Sequence, residues 1–225
     1  LPRGQAMKHD VRAGEGVTTT KMLSAYLPSL EGTPGDTTVY VLEGKEPGAT
    51  AVVLGGTHGN EIAGIMAATV LVERARVARG RLIVIPHANN SAVSYTDPQR
   101  PGPEWIHVTT ASGKRDFKYG ARRTQPQHHG APDPEKYRHP DSTEELDGNE
   151  VRNLDRAYPG NEQGPLTQRI AAAVMRLLDD APSAPGNEGA GHSTPCVFAA
   201  IGALAAPEPP SAGIAVVAHD PIEPA

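Results

Sequence analysis

Apolar residues along this chain gather into short blocks separated by long polar stretches, and the spacing inside each block predicts its element. Thr37 to Leu42 is β-branched and aromatic, the composition of a strand. Thr50 to Leu54 is a continuous apolar run closed by Gly55-Gly56, which predicts a central strand buried on both faces. From Asn60 to Ala78, Ile62, Ile65, Met66, Val70 and Val72, with Thr69, recur at helical spacing. Arg74, Arg76 and Arg79 place positive charge towards the C-terminal end of that helix, where its dipole favours it, and Gly80 reads as its stop. Leu82 to Ile85, closed by Pro86, predicts a second buried strand. A strand, a helix and a strand in succession predict an α/β fold. Leu166 to Leu178 is Ala-rich with an apolar stripe, and predicts a second helix.

The stretches between these blocks set the organisation. Residues 1–36 read as an N-terminal arm with one short strand, and 37–180 as the main domain. Within it, 89–165 is a long loop with almost no apolar periodicity. Pro98 to Pro140 is basic, with Arg100, Lys114, Arg115, Lys118, Arg122, Arg123, Lys136 and Arg138, and Asp141 to Glu150 is acidic. Residues 181–225 form an Ala/Pro/Gly-rich tail expected to be poorly ordered, in which only Cys196 to Leu204 and Gly213 to Ala218 have the pattern of regular structure. With 24 Gly and 22 Pro in 225 residues, much of the chain is loop.

A net charge of −5 gives no reason to expect nucleic acid as a partner. The single cysteine, Cys196, excludes an internal disulfide framework and a cysteine-based zinc cluster. No apolar run has the length of a membrane span. The chain opens on Leu1 rather than Met, which reads as a processed chain or a fragment, and an upstream signal or anchor stays open. The cytoplasm is the favoured compartment, and the oligomeric state is open.

The candidate chemistry sits directly after the first buried strand, in Gly55-Gly56-Thr57-His58-Gly59-Asn60-Glu61. His58 and Glu61 stand three residues apart at the mouth of a helix, so one turn brings them to one face. Imidazole nitrogen and carboxylate oxygen are both ordinary zinc ligands, and a catalytic zinc takes three protein ligands with one position open. The end of a strand is also where α/β proteins build their sites.

That segment resembles the metal-binding signature of the succinylglutamate desuccinylase/aspartoacylase family, within the wider zinc carboxypeptidase-like group. Leu82 to Ile85 followed by Pro86-His87-Ala88-Asn89 is similar to its next segment, in which an Asn closes the second strand. Asn153-Leu154-Asp155-Arg156-Ala157-Tyr158-Pro159-Gly160 resembles its second signature, usually Asn-x-Asn-Arg-x-Phe-Pro-Gly. The resemblance runs from about Val39 to Leu178. It implies a zinc carboxypeptidase-like mixed sheet flanked by helices, here incomplete, with 37–180 as a zinc-hydrolase-like catalytic domain. It implies Zn2+ as cofactor, His58 and Glu61 as two of its ligands, and Arg156 as the residue that binds the carboxylate of a small substrate. Asp155 stands where the family has a substrate-contacting Asn and so is the second candidate substrate-binding residue, although an ionised Asp cannot donate to the substrate as an Asn does.

The implied activity is hydrolysis of the amide bond of a small N-acyl amino acid. A metallocarboxypeptidase-type peptidase is the alternative on the same fold, although carboxypeptidases proper usually carry Arg before the Glu, where this chain has Asn60. The family's third ligand is a His after a further strand and an Asp-Leu, and no Asp-Leu-His occurs here. His192 and His219 are the candidates, and Glu188, Glu208 and Glu223 are candidates for the general base. The change of composition after Asp180 fits a truncated or frame-disrupted member with a non-native tail, so an inactive fragment or a binding domain is a third reading. His128, His129 and His139 read as solvated loop histidines before a second metal site, and the basic stretch as a solvated loop or a rim that draws in an anionic substrate. His87 reads as structural or close to the site, and Tyr158 and Pro159 as shaping the turn beside Arg156.

Overall fold

The computed structural model describes residues 11–96, 103–110, 113–139, 142–180, 197–200 and 215–218. The arm supplies strand β1 (Thr19–Met22), antiparallel to β2 (Thr38–Glu43) with Thr19 opposite Val41. Two short 3-10 turns between them bury Leu23 and Leu30. The predicted strand–helix–strand unit follows as β3 (Glu46–Leu54), α1 (Ile62–Arg74) and β4 (Arg79–Ile85). Strands β3 and β4 pair in parallel from Thr50 opposite Arg81 to Leu54 opposite Ile85.

Alternation along these strands decides the layers, because successive side chains point to opposite faces. Val39, Val41, Val52, Leu54, Ile83 and Ile85 lie in one buried cluster with Leu166, Ile170, Val174 and Leu177 of the second predicted helix. Leu42, Val53 and Val84, one residue out of step, lie in the other cluster with Ala68 and Val72 of α1. The sheet is therefore covered on both faces, which is why its central strands read as unbroken apolar runs.

Helix α1 stops short of the expected Ala78. The Ala75 N–H bonds the Leu71 carbonyl at 2.9 Å, and Ala75 then turns extended at ψ 146°. Ala75 and Val77, two apart, pack onto the same cluster as Val72, a spacing that only extended chain provides. Gly80 is accordingly not the helix stop. It lies inside β4 at φ +74°, where a Cβ would come within 2.1 Å of the Ala49 carbonyl oxygen.

Within 89–165 the described residues form several short elements. Helix α2 (Asn90–Val93) precedes a hairpin of β5 (Trp105–Thr110) and β6 (Gly113–Lys118). Two of the basic residues expected in solvent are buried there. Arg115 makes a two-pronged pair with Glu73 at 2.7 and 2.8 Å, tying the hairpin to α1, and Lys118 bonds Glu104 at 2.6 Å. Next come α3 (Pro126–His129) and a two-residue pair of β7 (Lys136–Tyr137) with β8 (Leu146–Asp147), before two 3-10 turns at Gly148–Arg152 and Leu154–Arg156. Helix α4 (Leu166–Asp179) matches the second predicted helix.

Beyond Asp180, β9 (Val197–Ala200) and β10 (Ala215–Ala218) fall inside the two segments whose pattern allowed regular structure. Strand β9 runs parallel to β3 with Ala200 opposite Leu54, and β10 returns antiparallel with Ala218 opposite Val197. The sheet order is β1-β2-β4-β3-β9-β10, a mixed sheet with helices on its faces, as the resemblance implied. Among the described residues, no helix is long and apolar enough to cross a membrane.

Ile170 is fully buried at the centre of the α4 layer, whereas Val70 on α1 is 58% exposed. Ile170→Ala should cost about 2–5 kcal/mol of stability, against less than about 0.5 kcal/mol for Val70→Ala. Denaturant unfolding of the two variants checks this, and similar losses would contradict the layer assignment.

Candidate metal centre

The turn after β3 is held open by backbone bonds on two sides. Gly55 N–H bonds Ile85 O at 2.8 Å, Ala88 N–H bonds Gly55 O at 2.8 Å, and Asn89 N–H bonds Gly56 O at 3.0 Å. Gly56 sits at φ +65°, a conformation that side-chain-bearing residues rarely adopt. On the other side Gly59 N–H bonds Ala121 O and Gly120 N–H bonds Gly59 O, each at 2.8 Å. This bridge carries the segment that contains Arg122 to the mouth of α1.

His58 is 4% exposed, and both its ring nitrogens have partners. Its Nδ1 faces Glu61 Oε1 at 2.8 Å. Its Nε2 lies 2.9 Å from Asn153 Oδ1 and 3.0 Å from Asp155 Oδ2. The amide of Asn153 is oriented from both ends, since its Nδ2 donates to Glu150 Oε2 at 2.7 Å and its Oδ1 accepts from the Asp155 N–H at 3.2 Å. Asn153 therefore offers His58 an oxygen, so Nε2 carries the proton that is donated. Nδ1 is left pointing at a carboxylate, an approach that needs a shared proton or a shared cation.

The electrostatics agree with that geometry. Burial alone pushes the His58 pKa down, but its bonds with Asp155 and Glu61 and the charge of Asp155 prevail and raise it from 6.5 to about 9. Burial pushes Asp155 up, and His58, with Arg122 and Arg156 in support, holds it below the usual carboxylate range. Glu61 is the N-cap residue of α1, yet its side chain makes no cap bond and turns instead to His58 and to Arg122 Nη1 at 3.3 Å.

The second motif is placed by Leu154, which is fully buried against α4 and leaves Asn153 and Asp155 facing His58. The carbonyl of Arg156 accepts from Tyr137 OH at 2.7 Å, and that of Tyr158 accepts from His139 Nε2 at 2.7 Å. The Arg156 guanidinium is 43% exposed, with Glu144 at 3.7 Å and Glu150 at 3.9 Å. Burial and the nearby Asp155 raise the Tyr158 pKa, and its buried hydroxyl has no partner among the described residues.

The fold thus brings His58, Glu61 and Asp155 together, with Arg156 beside them. Sequence reasoning missed two members. Asn153 was visible only as a motif letter, and Arg122 carries no local signal because backbone pairing through Gly59 delivers it. Asn89 is buried but turned away, capping α2 through Ala92 N–H at 3.1 Å and donating to Thr124 at 3.1 Å. His129 is buried against Thr167 and so is not solvated as expected, while His128 is half-buried with Ser91 at 2.9 Å. His87 is buried as well.

The donor set fits two of the three positions that a catalytic zinc needs, through His58 Nδ1 and Glu61. Among the described residues no group of three ligating side chains is arranged around a common point. His192, His219, Glu188, Glu208 and Glu223 lie outside the described residues.

No protein-family model matches the chain. Over 133 residues it is 28% identical to N-alpha-acetyl-L-2,4-diaminobutyric acid deacetylase of Halomonas elongata, a match that takes in 58% of this chain and 25% of that protein. The chain thus spans about a quarter of the length of that curated relative. Among solved structures, it is similar to a succinylglutamate desuccinylase of Silicibacter sp. TM1040, at 26% identity and a TM-score of 0.40 over 66% of this chain and 31% of that one. A second is an aspartoacylase family protein of Mesorhizobium loti, at 24% identity and a TM-score of 0.38 over 65% and 32%. The two solved structures bear the names of the family that the two sequence motifs resemble.

The raised His58 pKa gives a pH signature for the metal-free protein. A folded state that holds a proton more tightly than the unfolded chain gains stability that is complete below pH 6.5 and is lost as pH rises through about 9. Denaturation at a series of pH values should show that decline, and His58→Ala should flatten it. Parallel slopes in the two proteins would overturn the pairing described here.

Proposed function

We infer that this chain, a relative of the succinylglutamate desuccinylase/aspartoacylase proteins, carries the metal-binding and carboxylate-binding part of a zinc-dependent deacylase acting on a small N-acyl amino acid. The observation that supports this most is the convergence of His58 Nδ1 and Glu61 Oε1 at 2.8 Å, with Nε2 committed elsewhere. Zinc at that point would supply Lewis-acid polarisation of the scissile carbonyl and a bound water of lowered pKa.

The chain's own residues divide the remaining work. Asn153, itself oriented by Glu150, holds the imidazole so that Nδ1 faces Glu61. Arg156 offers a half-exposed planar fork to the substrate's carboxylate, where two parallel hydrogen bonds fix orientation as well as charge. Arg122 presents a second guanidinium to the Glu61 oxygen that faces His58, at 3.3 Å, and with a metal bound it would be the cation available to offset negative charge developing on a substrate carbonyl. Strands β9 and β10 extend the sheet beside β3, and the described residues assign no general base.

Zinc content of the purified chain tests the reading. The expected result is one zinc per chain, with a loss of at least tenfold in affinity for His58→Ala. In zinc-loaded protein, Arg156→Ala should weaken binding of an N-acetylated amino acid by roughly 10- to 100-fold, the worth of a charged hydrogen bond of about 1.5–3 kcal/mol. Wild-type chain that takes up no zinc would sink the enzymatic reading and favour an inactive fragment or binding domain.

A further inference from the structure

We propose that Asp155 is a positioning residue for the metal ligand His58 and not a contact of the substrate, an inference that rests on the metal reading above. The motif resemblance puts a neutral amide at this position, with hydrogens to give to a substrate. Asp155 has none to give when ionised, and its chemistry can only be that of an acceptor. The structure supplies the donor. Asp155 Oδ2 lies 3.0 Å from His58 Nε2, the nitrogen already directed at Asn153 Oδ1.

The two acceptors differ in what they contribute. Asn153 is neutral and locked, with its amide spanning Glu150 and the Asp155 N–H. It selects the Nε2–H form of the ring. Asp155 adds a negative charge to the same nitrogen, which makes the opposite nitrogen, Nδ1, a stronger electron donor. The 3-10 turn at Leu154–Arg156 fixes the carboxylate's approach, because Leu154 is fully buried and the Asp155 N–H is held by the Asn153 cap. The Asp155 side chain is 48% exposed, so it could turn to water, yet it faces the buried imidazole. With Asp155 committed to His58, recognition of a substrate carboxylate at this end of the site falls to Arg156.

The test uses the full chain with Asp155→Asn and Asp155→Ala. Asp155→Asn keeps the shape and an acceptor oxygen but removes the charge, and it keeps the test open if the alanine variant does not fold. Zinc affinity is read by competition with a chromophoric chelator, and the His58 ring by long-range proton–nitrogen correlation in zinc-loaded protein. The expected result is a 10- to 100-fold loss of zinc affinity in Asp155→Asn, with a shifted Nε2 resonance, and a loss at least as large in Asp155→Ala. Zinc affinity and ring resonances equal to wild type would overturn the proposal and leave the metal reading standing. A wild-type chain that binds no zinc would overturn the metal reading and this proposal with it.

Discussion

The parallel pairing of β3 with β4 is the contact on which the remaining structure depends. Parallel strands need a crossover, and α1 is that crossover, so the residues between β3 and α1 must turn at the edge where both strands end. The pairing continues past both strands through Gly55 and Ala88, which keeps the two turns side by side. His58 lies in the first of these turns and Asn89 in the second. Both faces of the strands are covered, by α1 and by α4, so the edge from which the turn springs is held by packing on both sides. The chemistry at His58 is thus placed by main-chain geometry before any side chain contributes.

Charge then arranges the site. From Arg123 through Glu150, Asn153, His58 and Glu61 to Arg122, each polar group meets a complementary one. A buried imidazole on its own would be driven neutral, and here the carboxylates outweigh burial and hold the proton on. In a site of low polarity each of these contacts is stronger than in water, and each lost partner is correspondingly costly. The same alternation carries structure away from the site, where the buried pair of Arg115 with Glu73 fastens the hairpin to the helix that begins at Glu61.

The segments that read correctly from sequence are those in which local pattern and burial coincide. Thr50 to Leu54, Leu82 to Ile85 and Leu166 to Leu178 are apolar on the faces that the fold covers, and each became the element expected. The end of α1 did not read correctly, because Arg74, Arg76 and Gly80 carry helix-stop signals while the cluster beside Val72 draws Ala75 and Val77 into extended chain. Strands β5 and β6 alternate enough to make a hairpin, yet among their described residues the buried positions are Arg115 and Lys118, whose charges hide the pattern.

For the site, the sequence by itself determined that a histidine and a glutamate would share one end of a buried strand, since three residues of separation at a helix mouth leave little freedom. It also marked Asn153 to Gly160 as a second group of functional type. Only the tertiary structure decided what that group does. Ninety-five residues separate Asn153 from His58, and nothing local fixes which side chain of the motif reaches the ring. Packing of Leu154 against α4 turned Asn153 and Asp155 to the imidazole, and backbone pairing through Gly59 brought in Arg122. Contacts between distant segments depend on the layers having formed, and so their partners are absent from any local pattern.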